Sequence, residues 1–177
     1  MILKYFIFIL LFTYSLLAVT CSVDEKIMYS IAEVEKHPKK PVGYQYLISF
    51  NNKEDASFAM NIFPYLFLDN RTVDCLDSYT CADVLYTLYN YNIKNLDCGA
   101  FQINTKYHNM DRYEDYFDLK KSYKKACTIV EGHIKNKLSW ENIAKYHSKT
   151  KKYNEAYKQR LFKVLKKNLK KKRQQNN

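Results

Sequence analysis

Asp97-Cys98-Gly99-Ala100-Phe101-Gln102-Ile103-Asn104 sits near the middle of the chain, and the reading of the whole starts there. One of only three glycines in 177 residues is followed by two apolar residues and then by two side-chain amides. Glycine takes φ > 0 or lets another chain approach closely. Gln and Asn each carry donors and acceptors. That mixture suits a groove that hydrogen-bonds a neutral polar polymer such as a sugar chain. Alone, the string reads equally well as a turn between two helices, with Asn104 capping the second.

Working outward, helical periodicity dominates. Ile27, Ile31 and Val34 share one helix face, and His37-Pro38 ends that helix. Tyr44, Tyr46, Ile48 and Phe50 alternate with Gln45, Leu47 and Ser49, which predicts a short strand before the Asn51-Asn52 turn. Residues 56–68 fit helix or strand. Cys81, Leu85 and Leu88 predict a helix leading into the central string. Leu119, Tyr123, Cys127, Val130 and Ile134 predict a longer amphipathic one. Ser139 caps a short helix carrying Trp140, Ile143 and Tyr146. Tyr153, Tyr157, Leu161 and Val164 begin the last helix. The expected fold class is α+β, predominantly helical, with a short strand element.

Residues 1–21 are nearly all apolar after Lys4, the pattern of a cleaved secretory signal peptide. The apolar core is short for a spanning helix, which needs about 20 residues. Leu17-Ala18-Val19-Thr20-Cys21 also has a faint likeness to a bacterial lipoprotein box, with Thr20 a poor fit. The expected domain is 22–160 and the expected compartment periplasmic or otherwise exported, with membrane contact only through a lipid on Cys21. Cys75, Cys81, Cys98 and Cys127 allow three disulfide connectivities. The expected pairs are Cys75–Cys81 and Cys98–Cys127. No Cys-x-x-Cys occurs and the four His are scattered, so no metal is expected.

The net charge of +11 suits an anionic partner such as cell wall, lipid surface or nucleic acid. Residues 161–177 hold seven Lys and Arg and no acid, a basic helix or tail. No nucleic-acid module accompanies it, and nucleic acid is not an expected partner.

Two further segments carry chemistry. Glu35 is the last acid before the His37-Pro38 break and lies next to the apolar stripe. A carboxyl half-buried there has a raised pKa and holds a proton to give to a leaving oxygen. Glu33, on another face, is the weaker candidate. Tyr146, at the end of the capped short helix, is placed to donate a hydrogen bond to a catalytic carboxyl; the ordinary alternative is a core tyrosine bonded to backbone.

Ile31-Ala32-Glu33-Val34-Glu35, then Gly99-x-x-Gln102-Ile103-Asn104, then Ala144-x-Tyr146-His147-Ser148 follow one another in an order that resembles the lytic transglycosylases. These are lysozyme-like enzymes of bacterial cell walls, and the closest resemblance is to small members that accompany secretion and conjugation machines. It covers roughly Ile27 to Leu161. Gly43 to Asn51 also resembles the strand region after the family's catalytic helix. The resemblance implies a lysozyme-like helical domain split by a glycan cleft. It makes Glu35 the single catalytic acid and Tyr146 the tyrosine facing it. Gly99, Phe101, Gln102 and Asn104 become the glycan-holding segment. Lys36 replaces a usual Ser, Ala100-Phe101 a usual Leu-Met, and His147 a usual Asn.

The implied reaction uses one acid and no cofactor. It cleaves the bond between N-acetylmuramic acid and N-acetylglucosamine and leaves 1,6-anhydro ends. The partners would be peptidoglycan strands and components of a secretion or conjugation apparatus. Rival readings are a hydrolytic muramidase, a non-catalytic wall-binding or assembly factor, and a basic nucleic-acid-binding protein. Asp97, beside a cysteine expected to be bridged, reads as structural rather than as a second catalytic carboxylate.

Overall fold

The computed structural model describes residues 21–175. Helix α1 (Glu25–Glu35) begins where the Asp24 side chain accepts the Lys26 amide, and it buries Met28, Ile31 and Ala32. It ends at Lys36, whose backbone is extended, as the approach to Pro38 requires. Strand β1 (Leu47–Phe50) follows, then α2 (Lys53–Ile62), a 3-10 turn (Pro64–Leu66) and β2 (Thr72–Asp74). Next come α3 (Ser78–Asn90), β3 (Leu96–Cys98), β4 (Ile103–Asn104) and a second 3-10 turn (Tyr113–Phe117). Helices α4 (Leu119–Ile134), α5 (Trp140–Ala144) and α6 (Lys151–Gln175) complete the chain.

The architecture is an α+β mix, mostly helical, with one four-stranded sheet in the order β2-β1-β3-β4 and every neighbouring pair antiparallel. The expected strand over 44–50 keeps only its second half. Tyr44 lies outside the ladder and donates its hydroxyl to Asp74 at 2.7 Å. Along β1, Ile48 and Phe50 are buried in the core. Leu47, Ser49 and Asn51 alternate with them and line a cleft, the two-residue period of a pleated strand. Residues 56–68 resolve into the end of α2 and a 3-10 turn opened by Pro64. Asn52 caps α2 by accepting the Glu54 amide.

The core joins Leu85 and Leu88 of α3, Val130 of α4 and Tyr157 and Leu161 of α6 to the inner face of the sheet. Each such side chain contributes ~1.5–3 kcal/mol by leaving water. Helix α6 packs against both α1 and α5, which holds the end of α1 in place.

Two expectations need correction. Cys75–Cys81 is a disulfide as expected, but Cys127 pairs with Cys21, and Cys98 is a buried free thiol. Cys98 lies inside the sheet, paired in register with Ile48 and Ile103. Cys21 instead reaches α4, where Ser22 also bonds Glu131 through its amide (2.8 Å) and its hydroxyl (2.7 Å). The bonded Cys21 falls on the last residue of the leader expected over 1–21. The same bond occupies the sulfur that a lipid would need. The remainder of the expected leader lies outside the described residues.

The second correction concerns the tail. The boundary at 160/161 falls inside α6, which runs unbroken from Lys151 to Gln175. Among the described residues no helix is long and apolar enough to cross a membrane.

Candidate active site

A cleft of about 1080 Å³ runs across the outer face of the sheet. Leu47, Ser49, Asp97 and Ile103 of the strands line it, with Glu35 from the end of α1, Ile129 and His133 from α4, and Tyr146 and His147 beyond α5. Three sequence segments far apart in the chain therefore meet at one surface. Glu35 is the last residue of α1 and lines the cleft where that helix stops.

The Glu35 side chain is only 12 % exposed. Its Oε1 is fully withdrawn from solvent and has no hydrogen-bond partner. Burial pushes its pKa up to about 7; the Tyr157 hydroxyl and Arg160 oppose that rise, and the Asp97 charge adds to it. Tyr157 is near enough to favour the carboxylate, yet the two groups lack hydrogen-bond geometry, so the Tyr157 hydroxyl is likewise unpartnered. His147 approaches from the cleft side, with Nδ1 3.9 Å from Oε1. Burial first, and Arg160 second, lower the His147 pKa. The His147 ring stacks on Tyr157 at 4.8 Å between centroids.

Tyr146 lines the cleft but does not give its proton to Glu35. Its hydroxyl donates to the Phe101 carbonyl at 2.6 Å. The phenol pins the central turn to the α5 end, and that is its observable work. Within that turn the four expected groove residues divide. Gln102 and Asn104 line the cleft; Gly99 and Phe101 do not. Phe101 is buried and packs edge-to-face on Tyr123 of α4 at 5.8 Å. Gly99 adopts φ +75°, and a Cβ there would stand 2.1 Å from the Tyr116 carbonyl oxygen. Both shape the turn from behind.

Gln102 itself has φ +47° and donates through Nε2 to the Gly99 carbonyl at 2.9 Å. Asn104 caps no helix. Its Nδ2 donates to Asp97 (2.8 Å) and to Asn95 (3.0 Å), and its Oδ1 accepts the Lys106 amide. Asn51 donates to the other Asp97 oxygen at 2.8 Å. Burial raises the Asp97 pKa; the two asparagines and Arg71 oppose it. Asp97 is thus a second carboxyl facing the same cleft, held by amides, with no disulfide beside it.

His147, Tyr157 and Asp97 are the site residues that sequence reasoning did not assign. Tyr157 sat in an apolar stripe at helical spacing, which hides a hydroxyl aimed at another helix. His147 was visible next to Tyr146, within the quoted Tyr-His-Ser string. Cys21, Cys127 and Glu131 form the one cluster of metal-ligating residue types among the described residues. Its sulfurs are bonded to one another and its carboxylate to Ser22, so no ligand set is free there.

Compared with protein-family models, with curated proteins and with solved structures, the chain matches none.

Proposed function

We propose that this protein is an exported peptidoglycan lytic transglycosylase on a lysozyme-like fold, cutting glycan strands with Glu35 as its single acid–base group. The observation that carries the reading is the Glu35 carboxyl itself. It is buried at the lip of a long amide-lined cleft, its pKa is raised to about 7, and one oxygen has no partner. A carboxyl so placed is partly protonated at neutral pH, the state that general-acid catalysis needs. An extended cleft lined by Gln102, Asn104, Ser49 and Asn51 offers hydrogen bonds to hydroxyl and acetamido groups. The two disulfides fit an oxidising compartment.

In the proposed reaction the Glu35 proton passes to the oxygen bridging N-acetylmuramic acid C1 and N-acetylglucosamine. The C1–O bond breaks, and the substrate's acetamido group stabilises the cation at C1. Glu35, now a carboxylate, takes the proton of the muramic acid C6 hydroxyl. O6 bonds to C1, which gives the 1,6-anhydro end and restores the acid. His147 and Tyr157 stand beside the carboxyl, with the His147 Nδ1 3.9 Å from Oε1. In the cell such cutting would open the wall for an envelope-spanning machine.

One observation favours a second reading. Asp97 lines the same cleft, close enough for its charge to act on Glu35. Two carboxyl groups flanking a glycan are what hydrolysis by water uses. The test is incubation of the purified protein with sacculi and mass spectrometry of the products. Anhydro ends that vanish in Glu35→Gln support the transglycosylase; ends heavier by one water, lost in Asp97→Asn, support the muramidase. A folded Glu35→Gln variant with undiminished cleavage overturns both. Binding to sacculi without any release of fragments identifies a wall-binding protein instead.

A further inference from the structure

Cations are not distributed evenly along the cleft. At the α1 end each has an acid beside it. Lys36 pairs with Glu33 at 3.8 Å, His37 with Asp69 at 2.9 Å, and Arg71 lies near Asp97. The α4 end is different. His108, His133, Lys145 and Lys149 line the cleft there. Among the described residues none of the four has an ion-pair partner; the Lys145 Nζ donates only to the neutral Asn142 amide, at 2.7 Å.

Three separate elements converge to make this cluster. His133 ends α4, two turns beyond Lys125 on one face, at the four-residue spacing that stacks side chains. Lys145 and Lys149 follow α5, in the segment that Asn154 anchors by donating to the Ser148 carbonyl at 3.0 Å. His108 comes from the turn after β4, which Tyr116 ties down by donating to the His108 carbonyl at 2.7 Å. Burial is the first cause that lowers the pKa of both His108 and His133. Beyond burial, Lys125, His133 and Lys149 lower the His108 pKa, and Lys149 and Lys145 lower that of His133. Lys145 and Lys149, with no counter-charge beside them, leave a positive site that an arriving anion neutralises, and the two histidines add ring nitrogens that can hydrogen-bond it.

We infer that the α4 end of the cleft, through Lys145, Lys149, His133 and His108, binds the carboxylates of the acidic peptide branches carried by the glycan. This rests on the glycan-cleaving reading above: each peptide branch carries several carboxylates, whereas a strand stripped of its branches keeps only the one lactyl carboxylate of each muramic acid. The enzyme then distinguishes decorated strands from stripped ones, and the α4 end of the cleft fixes which way a strand lies across Glu35.

The test uses soluble glycan fragments with their peptides intact and the same fragments after amidase has removed them. Affinity is measured by calorimetry in the Glu35→Gln chain, which leaves the substrate uncut, and cleavage is followed in parallel in the wild type. The expected result is tighter binding of decorated fragments by about tenfold, weakening as salt rises. Replacing Lys145 and Lys149 by Gln brings the ratio between the two substrates to about one, since each exposed charge pair carries up to about fivefold. Lys149→Glu alone, at an exposed position that leaves folding intact, inverts the preference. Equal binding of both fragments by the Glu35→Gln chain, or a preference that survives the double substitution, overturns the inference. Preferential binding without cleavage by the wild type sinks the catalytic reading and leaves the anion subsite standing.

Discussion

The Glu35 carboxyl and the Tyr157 hydroxyl lie side by side beneath the cleft, and each holds a buried oxygen without a hydrogen-bond partner. A buried polar group left unpaired costs about 1–3 kcal/mol, and here two such groups share one spot where α1 meets α6. The arrangement is unfavourable for stability and useful for proton transfer.

Glu35→Gln should therefore stabilise the protein at alkaline pH. The carboxyl has a pKa of about 7 when folded, against 4.5 as the ordinary value. The folded state binds the proton more tightly, so stability contributed by protonation is full below pH 4.5 and is lost as pH rises through 7. At pH 8 the charged, buried carboxylate costs about 3 kcal/mol. Denaturant titrations should show the variant more stable than the wild type at pH 8 and equal to it at pH 4. Equal stability at both pH values would show that Glu35 is solvated.

Tyr157→Phe removes the neighbour that most favours ionisation of Glu35. The Glu35 pKa should climb above 7, and the alkaline limb of the pH–activity profile should move to higher pH. The lost hydroxyl had no partner, so unfolding free energy should rise by about 1–3 kcal/mol. A limb that stays put, or moves toward acid, removes Tyr157 from the site.

At Gly99 a side chain meets two obstacles, the positive φ and the Tyr116 carbonyl at 2.1 Å from the Cβ position. Gly99→Ala should lose about 2–4 kcal/mol, combining backbone strain with displacement of the 3-10 turn. Chemical denaturation measures it directly. A near-neutral substitution would mean that the central turn is looser than its geometry requires.

The disulfides should differ in weight. Chain-entropy reasoning assigns about 4–5 kcal/mol to the bond joining Cys21 and Cys127, 106 residues apart, and about 2 kcal/mol to Cys75–Cys81, 6 apart. Cys127→Ser should thus lower the melting temperature more than Cys75→Ser. Peptide mapping without reductant should recover Cys21 joined to Cys127, and Cys98 should accept an alkylating reagent only after unfolding.

Local signals carried most of the secondary structure. Apolar spacing located α1, α3, α4 and α6, Ser139 located α5, and the Tyr44–Phe50 alternation located β1. What periodicity does not contain is the pairing of distant segments. With Cys21 assigned to the leader, Cys98 remains as the partner for Cys127; in the structure Cys21 takes that place and Cys98 is buried within the sheet. The same limit explains Phe101, whose position between Gly99 and Gln102 gives no hint that its ring turns to α4 while its carbonyl takes the Tyr146 proton. The helix stop at Glu35 was legible because it is a local event. The two aromatic phenols were not, because a tyrosine in an apolar stripe reads the same whether its oxygen meets backbone or acid.

Closure of the 106-residue loop has an order built into it. A chain threaded N-terminus first brings Cys21 out early, while Cys127 emerges only after more than a hundred further residues. Until then the segment bearing Glu35 has no covalent tie to α4. The last clasp is thus an oxidation step, and a reducing environment would leave the N-terminal segment unlatched however long the polypeptide waited there.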